Sequence, residues 1–540
     1  ERERFVRKFR GKRKCIFNLY TMEEETLLQQ LGSLSIEDNS TRSSQISVAP
    51  STTTGLFYDV RMTEHTGPDS HPERPARVLG IYRRLQSEGV ITRCRVFGGR
   101  EIAREDVERV HGPKHWDAVH AYEGEAKYVE HARKERQEEA IVQEKNGNTG
   151  TGPSGSPPID GLGTMTVGPS AQVGVVDPLP KGKEVSPGAD DSVPSYIEVF
   201  DTYYCPQTAA AARLAAGTAA DAVRRVVGGE LRNAACIVRP PGHHAECNKA
   251  MGFCFFNNVA ICARYARDVL GVQRVAIFDF DVHHGNGTQN LFYEDPSVLF
   301  MSIHRFQGGS FYPGEPDGGH TFLGKGRGKG FNINIPWEEE GYGDGEYVHA
   351  TDNIVVPILT AFRPELILIS GGFDASKGDP LGGMRVSPWG FGYMTRALRG
   401  VLQDTCGKSG GIVLLLEGGY NVDAISRGFE ACTRVLLGDD LSTVPLPAAV
   451  SGMGEIPLSD RVTRSKGKNV DYNALSGKQA NRRTSGDKKP TKSKLKPVKP
   501  KAQETVEVCR NTFSRYWSCF PKPDASSPER TWEASKAIKA

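Results

Sequence analysis

In the middle of the chain, D-F-D-V-H-H sets Asp279, Asp281 and His283 at alternate positions, so in an extended segment their side chains leave on one side. A carboxylate and an imidazole on one face form a chelate for a divalent ion. Two such ligands leave the ion underligated, and Asp374, in G-G-F-D-A just after another apolar run, supplies the obvious third. Three protein ligands with an open position describe a catalytic rather than a structural zinc, and Fe(II) or Co(II) suits the same two carboxylates and one histidine. The bland alternative is that aspartates and histidines at strand ends only cap helices and satisfy loop amides. Against it stand four such clusters, rich in ionisable residues and glycines that cost stability unless they serve a site.

His243 and His244 follow the stiff turn Pro240-Pro241-Gly242. Histidine moves protons near neutral pH, and Asp279 on one ring with Asn286 on the other would split the two pKa values. A pair of buried structural histidines is the competing reading. Tyr420 follows Glu417-Gly418-Gly419, a backbone able to bend sharply and bring a phenol hydroxyl toward the metal as donor to an oxyanion. Alone, G-G-Y is a weak signal, because a packing tyrosine often follows such a turn.

These clusters need a frame to hold them together. A-C-I-V at 235–238, V-A-I-F at 275–278, L-F-M-S at 299–302, L-I-L-I at 366–369 and I-V-L-L-L at 412–416 read as strands of a parallel sheet buried on both faces. Helical spacing fills 257–270, 347–362 and 391–402. Alternating strands and helices predict an α/β, three-layer sandwich around a central, mainly parallel sheet. Every one of these strands but the third runs directly into a polar cluster, and open α/β sheets place ligands outside the carboxyl ends of their strands.

Bulk properties set the context. A net charge of +3 with 25% charged residues over 540 positions argues for neither nucleic acid nor membrane as a partner. Eleven cysteines without a C-x-x-C pair read as reduced thiols inside a cell. No apolar run reaches about 18 residues, so membrane spanning is not expected. Residues 1–50, basic and then Ser/Thr-rich, are expected to be disordered; 51–446 would form the catalytic domain, interrupted by a low-complexity insertion at about 125–193. Residues 447–540 are rich in lysine and read as a second disordered tail, with solvated charge preferred over a direct DNA contact.

Taken together, R-P-P-G-H-H-A-E, G-F-C-F-F-N, D-V-H-H-G-N-G-T-Q, G-F-D-A-x-x-G-D-P-L-G-G and L-E-G-G-Y-N resemble the signature set of class II histone deacetylases, and H-P-E-R-P-A-R at 71–77 joins them. The resemblance implies an arginase-like sandwich and assigns the zinc ligands to Asp281, His283 and Asp374 and the tandem histidines to His243 and His244. It implies a structural potassium ion on Asp279 and Ser302, and an acyl-lysine tunnel walled by Phe253 and Tyr312, where the family more often has Phe in place of Tyr312. It further implies that the Gly252 carbonyl accepts the substrate amide, that Arg77 lies at the foot of the pocket, and that Tyr420 is the active tyrosine. Asn286, where class I enzymes have Asp, favours class II. Leu381, where the polyamine-selective branch has an acidic gatekeeper, favours acetylated protein lysine.

The expected activity is therefore zinc-dependent hydrolysis of acetyl-lysine on histones or other proteins, in nucleus and cytoplasm, with histone tails and a corepressor complex as partners. The rival expectations are a catalytically weak scaffold of the same fold and a deacetylase of small acetylated amines. An arginase-like ureohydrolase would need a second metal set, which the sequence does not offer.

Overall fold

The computed structural model describes residues 53–121, 197–199, 201–406, 410–441 and 495–521. The expectations for 1–50 and for the 125–193 insertion concern residues outside these. Ten strands are described: β1 (Thr54–Tyr58), β2 (Arg95–Phe97), β3 (Ile197–Val199), β4 (Thr202–Tyr204), β5 (Asn233–Ile237), β6 (Val275–Asp279), β7 (Val298–Arg305), β8 (Asn332–Trp337), β9 (Leu366–Gly371) and β10 (Gly411–Leu416). Eight form one sheet in the order β2-β1-β5-β10-β9-β6-β7-β8, with every pair parallel. The short antiparallel pair β3–β4 stands apart from it.

Both faces of this sheet are apolar, and strand alternation divides the side chains between two cores. Ile237, Phe278, Ile369 and Leu414 face one core, which is roofed by α1 (Ala76–Ser87), α6 (Asp344–Ala350), α7 (Val356–Phe362), α8 (Pro388–Cys406) and α9 (Val422–Leu437). Cys236, Ile277, Leu368 and Val413 face the other, covered by α3 (Thr208–Val227) and α4 (Asn258–Asp268). The short helices α2 (Arg104–Val107) and α5 (Asn286–Phe292) add Val107 and Phe292 to this second core. Between α6 and α7 one π-helical turn, Thr351–Val355, keeps the helix continuous. This is the three-layer α/β sandwich. No helix among the described residues is long and apolar enough to cross a membrane.

The reading of 447–540 as a disordered tail needs correction over 495–521; the rest of that tail lies outside the described residues. A last helix, α10 (Pro500–Phe513), packs on the first core through Val498, Ala502, Val506, Cys509, Phe513 and Phe520. From Val498 to Phe513 those apolar positions recur every three or four residues, as an amphipathic helix requires, but the lysine-rich stretch at 488–501 just before them dominates the tail's composition and masks the period. The Cys509 thiol lies 3.7 Å from the Asn334 carbonyl, and the Trp517 indole donates to the Gly330 carbonyl at 2.9 Å. The segment thereby covers the flank of β8, the edge strand of the sheet.

Candidate active site

The four polar clusters leave β5, β10, β9 and β6, which are neighbours at the centre of the sheet, all at their carboxyl ends. Topology alone thus gathers residues scattered from 239 to 420. Asp281 and His283 follow β6, and Asp374 follows β9. One ligand atom from each of these three lies within 4.8 Å of the others. His283 Nδ1 is 3.0 Å from Asp281 Oδ1 and 3.1 Å from Asp374 Oδ2. The remaining oxygens are held by main-chain amides: Gly418 N–H donates to Asp281 Oδ2 and Val282 N–H to Asp374 Oδ1, both at 2.8 Å. A Cβ on Gly418 would stand 2.3 Å from Asp374 Oδ2, and one on Gly372 would stand 2.2 Å from the Asp281 carboxyl carbon, so only glycine lets the backbone approach this closely.

All three ligand side chains are buried. Burial pushes both carboxyls toward the neutral acid. At Asp281 the imidazoles of His243 and His283 reverse this and hold it well below the usual carboxylate range, whereas Asp374, facing the Asp281 charge, is raised. Burial opposes charge on His283 as well, yet bonds to both carboxylates lift it to about 9. Two buried carboxylates converging with one imidazole nitrogen form a donor set that a divalent cation satisfies better than a proton does.

Beside this centre the rings of His243 and His244 stand 4.0 Å apart in contrasting environments. His243 Nδ1 is 3.0 Å from Asp279 Oδ2, and although burial works against charge, Asp281 and Asp279 raise its pKa to about 10. His244 Nδ1 is 2.7 Å from Asn286 Oδ1; burial, His243 and His283 push it well below the ordinary histidine value. Asp279 and Ser302 lie opposite each other on β6 and β7, and the Ser302 hydroxyl is 2.8 Å from His304 Nδ1.

Aromatic rings border the centre. Phe253 meets Tyr420 edge to face at 5.8 Å, while Tyr312 meets His244 at 5.1 Å and His283 at 5.8 Å. Gly252 and Phe253 both take positive φ, 57° and 67°, the left-handed geometry that turns this loop back on itself. Arg77 is fully buried; it donates to the carbonyls of Glu417 and Gly419 and lies 5.3 Å from the Tyr420 ring centre, fixing the E-G-G-Y turn from beneath. Leu381 is exposed.

Sequence reasoning missed several partners. Glu73 joins Arg77 to Arg239, with contacts of 2.9 Å to the first and 2.9 and 2.7 Å to the second, all three buried. Glu417 accepts the Gly242 amide at 2.6 Å and so anchors the histidine turn. Asp379 accepts the Tyr420 amide at 2.7 Å. Asp201 receives both the Tyr312 hydroxyl and the Gly252 amide. Glu73, Glu417 and Asp379 stand inside the quoted motifs, which was the available signal; Asp201 had none.

A sandwich with a buried Asp-His-Asp centre at the carboxyl ends of its central strands defines an arginase/deacetylase-type fold with a candidate cation site. The Histone deacetylase domain family matches residues 71–436, and the chain belongs to that family. It is 38% identical over 390 residues to Histone deacetylase 5 of Arabidopsis thaliana, covering 71% of this chain and 49% of that protein. It is 37% identical over 402 residues to Histone deacetylase 9 of Homo sapiens, covering 73% and 34%, and 33% identical over 440 residues to Histone deacetylase HDA1 of Saccharomyces cerevisiae, covering 77% and 52%. The chain thus spans about half or less of the curated relatives' length. The crystal structure of the HDA15 HD domain superposes with a TM-score of 0.60 at 30% identity, covering 87% of this chain and 96% of that one.

Proposed function

We propose that this domain removes acetyl groups from lysine side chains of proteins, histone tails among them, by zinc-dependent hydrolysis. The observation that carries the reading is the Asp281-His283-Asp374 centre beside the paired rings of His243 and His244. Zinc held by these three ligands would supply Lewis acidity, polarising the acyl carbonyl and acidifying water. His244, neutral, with its Nδ1 proton given to Asn286, offers Nε2 as the base for that water. His243, whose Nδ1 faces Asp279, balances the developing negative charge and lies ready to return a proton to the leaving lysine nitrogen.

The Tyr420 phenol keeps its proton, because burial and the nearby Asp374 carboxylate both raise its pKa. It can therefore donate to the tetrahedral oxyanion, a contact worth about two to three powers of ten in rate. Phe253 and Tyr312 wall the slot for a neutral acyl-lysine stem; an unmodified ammonium would lose its hydration there without compensation. The Gly252 carbonyl receives the substrate amide proton, and Asp279 and Ser302 would hold a structural potassium ion. In this reading 51–446 together with the docked segment 495–521 forms the catalytic domain, with 125–193 as its insertion, and its substrates lie in nucleus and cytoplasm, with a corepressor complex as partner.

The test is turnover of an acetyl-lysine peptide and of acetylspermidine by purified protein, with zinc, with chelator, and for Tyr420→Phe. Chelator-sensitive acetate release from the peptide, lost in Tyr420→Phe, supports the proposal. Absence of turnover on both by folded, zinc-loaded protein sinks it in favour of a scaffold role, and turnover confined to acetylspermidine redirects it to small amines.

A further inference from the structure

Behind His244 the hydrogen-bond chain continues past Asn286. Asn286 Nδ2 lies 2.6 Å from Glu246 Oε1, on the side of the amide opposite the 2.7 Å contact between Asn286 Oδ1 and His244 Nδ1. Asn290 Nδ2 donates to both Glu246 oxygens, at 3.1 and 3.2 Å, and so fixes the carboxylate. Its backbone is pinned as well: the Glu246 amide donates to the Lys249 carbonyl at 2.9 Å, and the Glu246 carbonyl lies 2.9 Å from His111 Nδ1.

An asparagine amide has two unlike ends of nearly the same shape, and only its neighbours decide which end faces where. A carboxylate accepts hydrogen bonds and cannot donate them. Glu246 therefore demands the NH2 end of Asn286 and turns the carbonyl oxygen toward His244. That oxygen in turn demands a proton on His244 Nδ1, which leaves the lone pair on Nε2. With the amide reversed, NH2 would face Nδ1, the proton would shift to Nε2, and the ring could no longer act as a base there.

We propose that Glu246 is a positioning residue for the hydrolytic reaction, selecting the base-competent tautomer of His244 through the orientation of the Asn286 amide. The inference rests on the deacetylase reading above. Glu246 touches no reacting atom; it acts two hydrogen bonds away. An aspartate at 286 would not need it, since its two oxygens are equivalent and either one accepts from Nδ1. Beside Glu246, however, that aspartate would set two carboxylates where a donor and an acceptor now meet.

The experiment is steady-state kinetics of the full, zinc-loaded chain on an acetyl-lysine peptide for wild type, Glu246→Ala, Glu246→Gln, Asn286→Asp and the double variant Glu246→Ala/Asn286→Asp. The expected result is a fall in kcat of about 10- to 100-fold in Glu246→Ala with KM little changed, the usual range for a partner that orients a site residue. Glu246→Gln keeps activity, because its carbonyl still accepts from Asn286. Asn286→Asp alone lowers kcat, and the double variant recovers it above either single change. A double variant no better than Glu246→Ala, or an unchanged kcat in Glu246→Ala, overturns the positioning role while wild-type turnover leaves the deacetylase reading intact. An inactive wild type overturns both, and is recognised as such before any variant is compared.

Discussion

The Tyr312 hydroxyl donates to Asp201 Oδ2 at 2.5 Å, while the other oxygen of that carboxylate accepts the Gly252 amide at 3.1 Å. One carboxylate thus ties the aromatic wall to the glycine whose carbonyl is proposed to meet the substrate. Tyr312→Phe keeps the ring and removes the tie. Its expected effect is a rise in KM for an acetyl-lysine peptide of about tenfold with kcat nearly unchanged, since a hydrogen bond to a charged group contributes roughly 1.5 kcal/mol. A fall confined to kcat would show that the hydroxyl acts on the chemistry instead.

The converging carboxylates of Asp281 and Asp374 make a stability prediction independent of turnover. Without a cation they repel each other in a buried setting. Chelator should lower the thermal midpoint of wild type, whereas Asp374→Asn should lose that response. Equal chelator shifts in both proteins would place the ion elsewhere.

Glu73 is buried between two arginines. Burial works against its charge, but Arg239 and Arg77 hold its pKa well below the ordinary 4.5. A depressed carboxyl stabilises the fold fully above its unfolded pKa, and that contribution is lost as pH falls through the folded value. Glu73→Gln is expected to destabilise by about 3–5 kcal/mol at pH 7 in urea unfolding, as removal of one partner from a buried ion pair does. The deficit should narrow as both proteins are taken below pH 4.

Both His111 nitrogens are engaged in the neutral ring, Nδ1 with the Glu246 carbonyl and Nε2 accepting the Asn257 amide at 2.9 Å. Burial, with His115 adding to it, lowers the His111 pKa to about 3; burial and Arg239 do the same to His65. At these two rings the native state therefore binds fewer protons than the unfolded chain between about 3 and 6.5, so their contribution to stability rises with pH across that window and is lost on acidification. Each such ring contributes a slope of about 1.4 kcal/mol per pH unit. Urea midpoints measured from pH 7 to 5 should fall, and His111→Asn should remove about one proton from the slope; a flat profile would contradict the buried neutral rings.

Phe513 distinguishes a docked helix from a solvated tail. Phe513→Ala should cost about 3–5 kcal/mol, as truncation of a buried aromatic does, while Lys501→Ala, on the exposed side, should be nearly neutral. Equal and negligible effects would return the segment to solvent.

The central strands were legible in the sequence because burial on both faces demands unbroken apolar runs, and the convergence of the candidate ligands because they follow those runs within a few residues. β8 was not, since N-I-N-I-P-W buries isoleucines on one side and asparagines on the other. The supporting carboxylates were legible least. Arg239 meets Glu73 across 166 residues, and no local pattern announces such a pairing. Asp201 was invisible for the same reason, because its meaning comes only from the loops that fold against it.

All eight strands of the sheet have been synthesised once Leu416 is made, yet the flank of β8 is sealed by a stretch that ends near Phe520. A nascent chain leaving the ribosome must therefore hold an open sheet edge until that late stretch emerges. Chains released before this helix is made would carry an uncovered strand ready to pair with another copy.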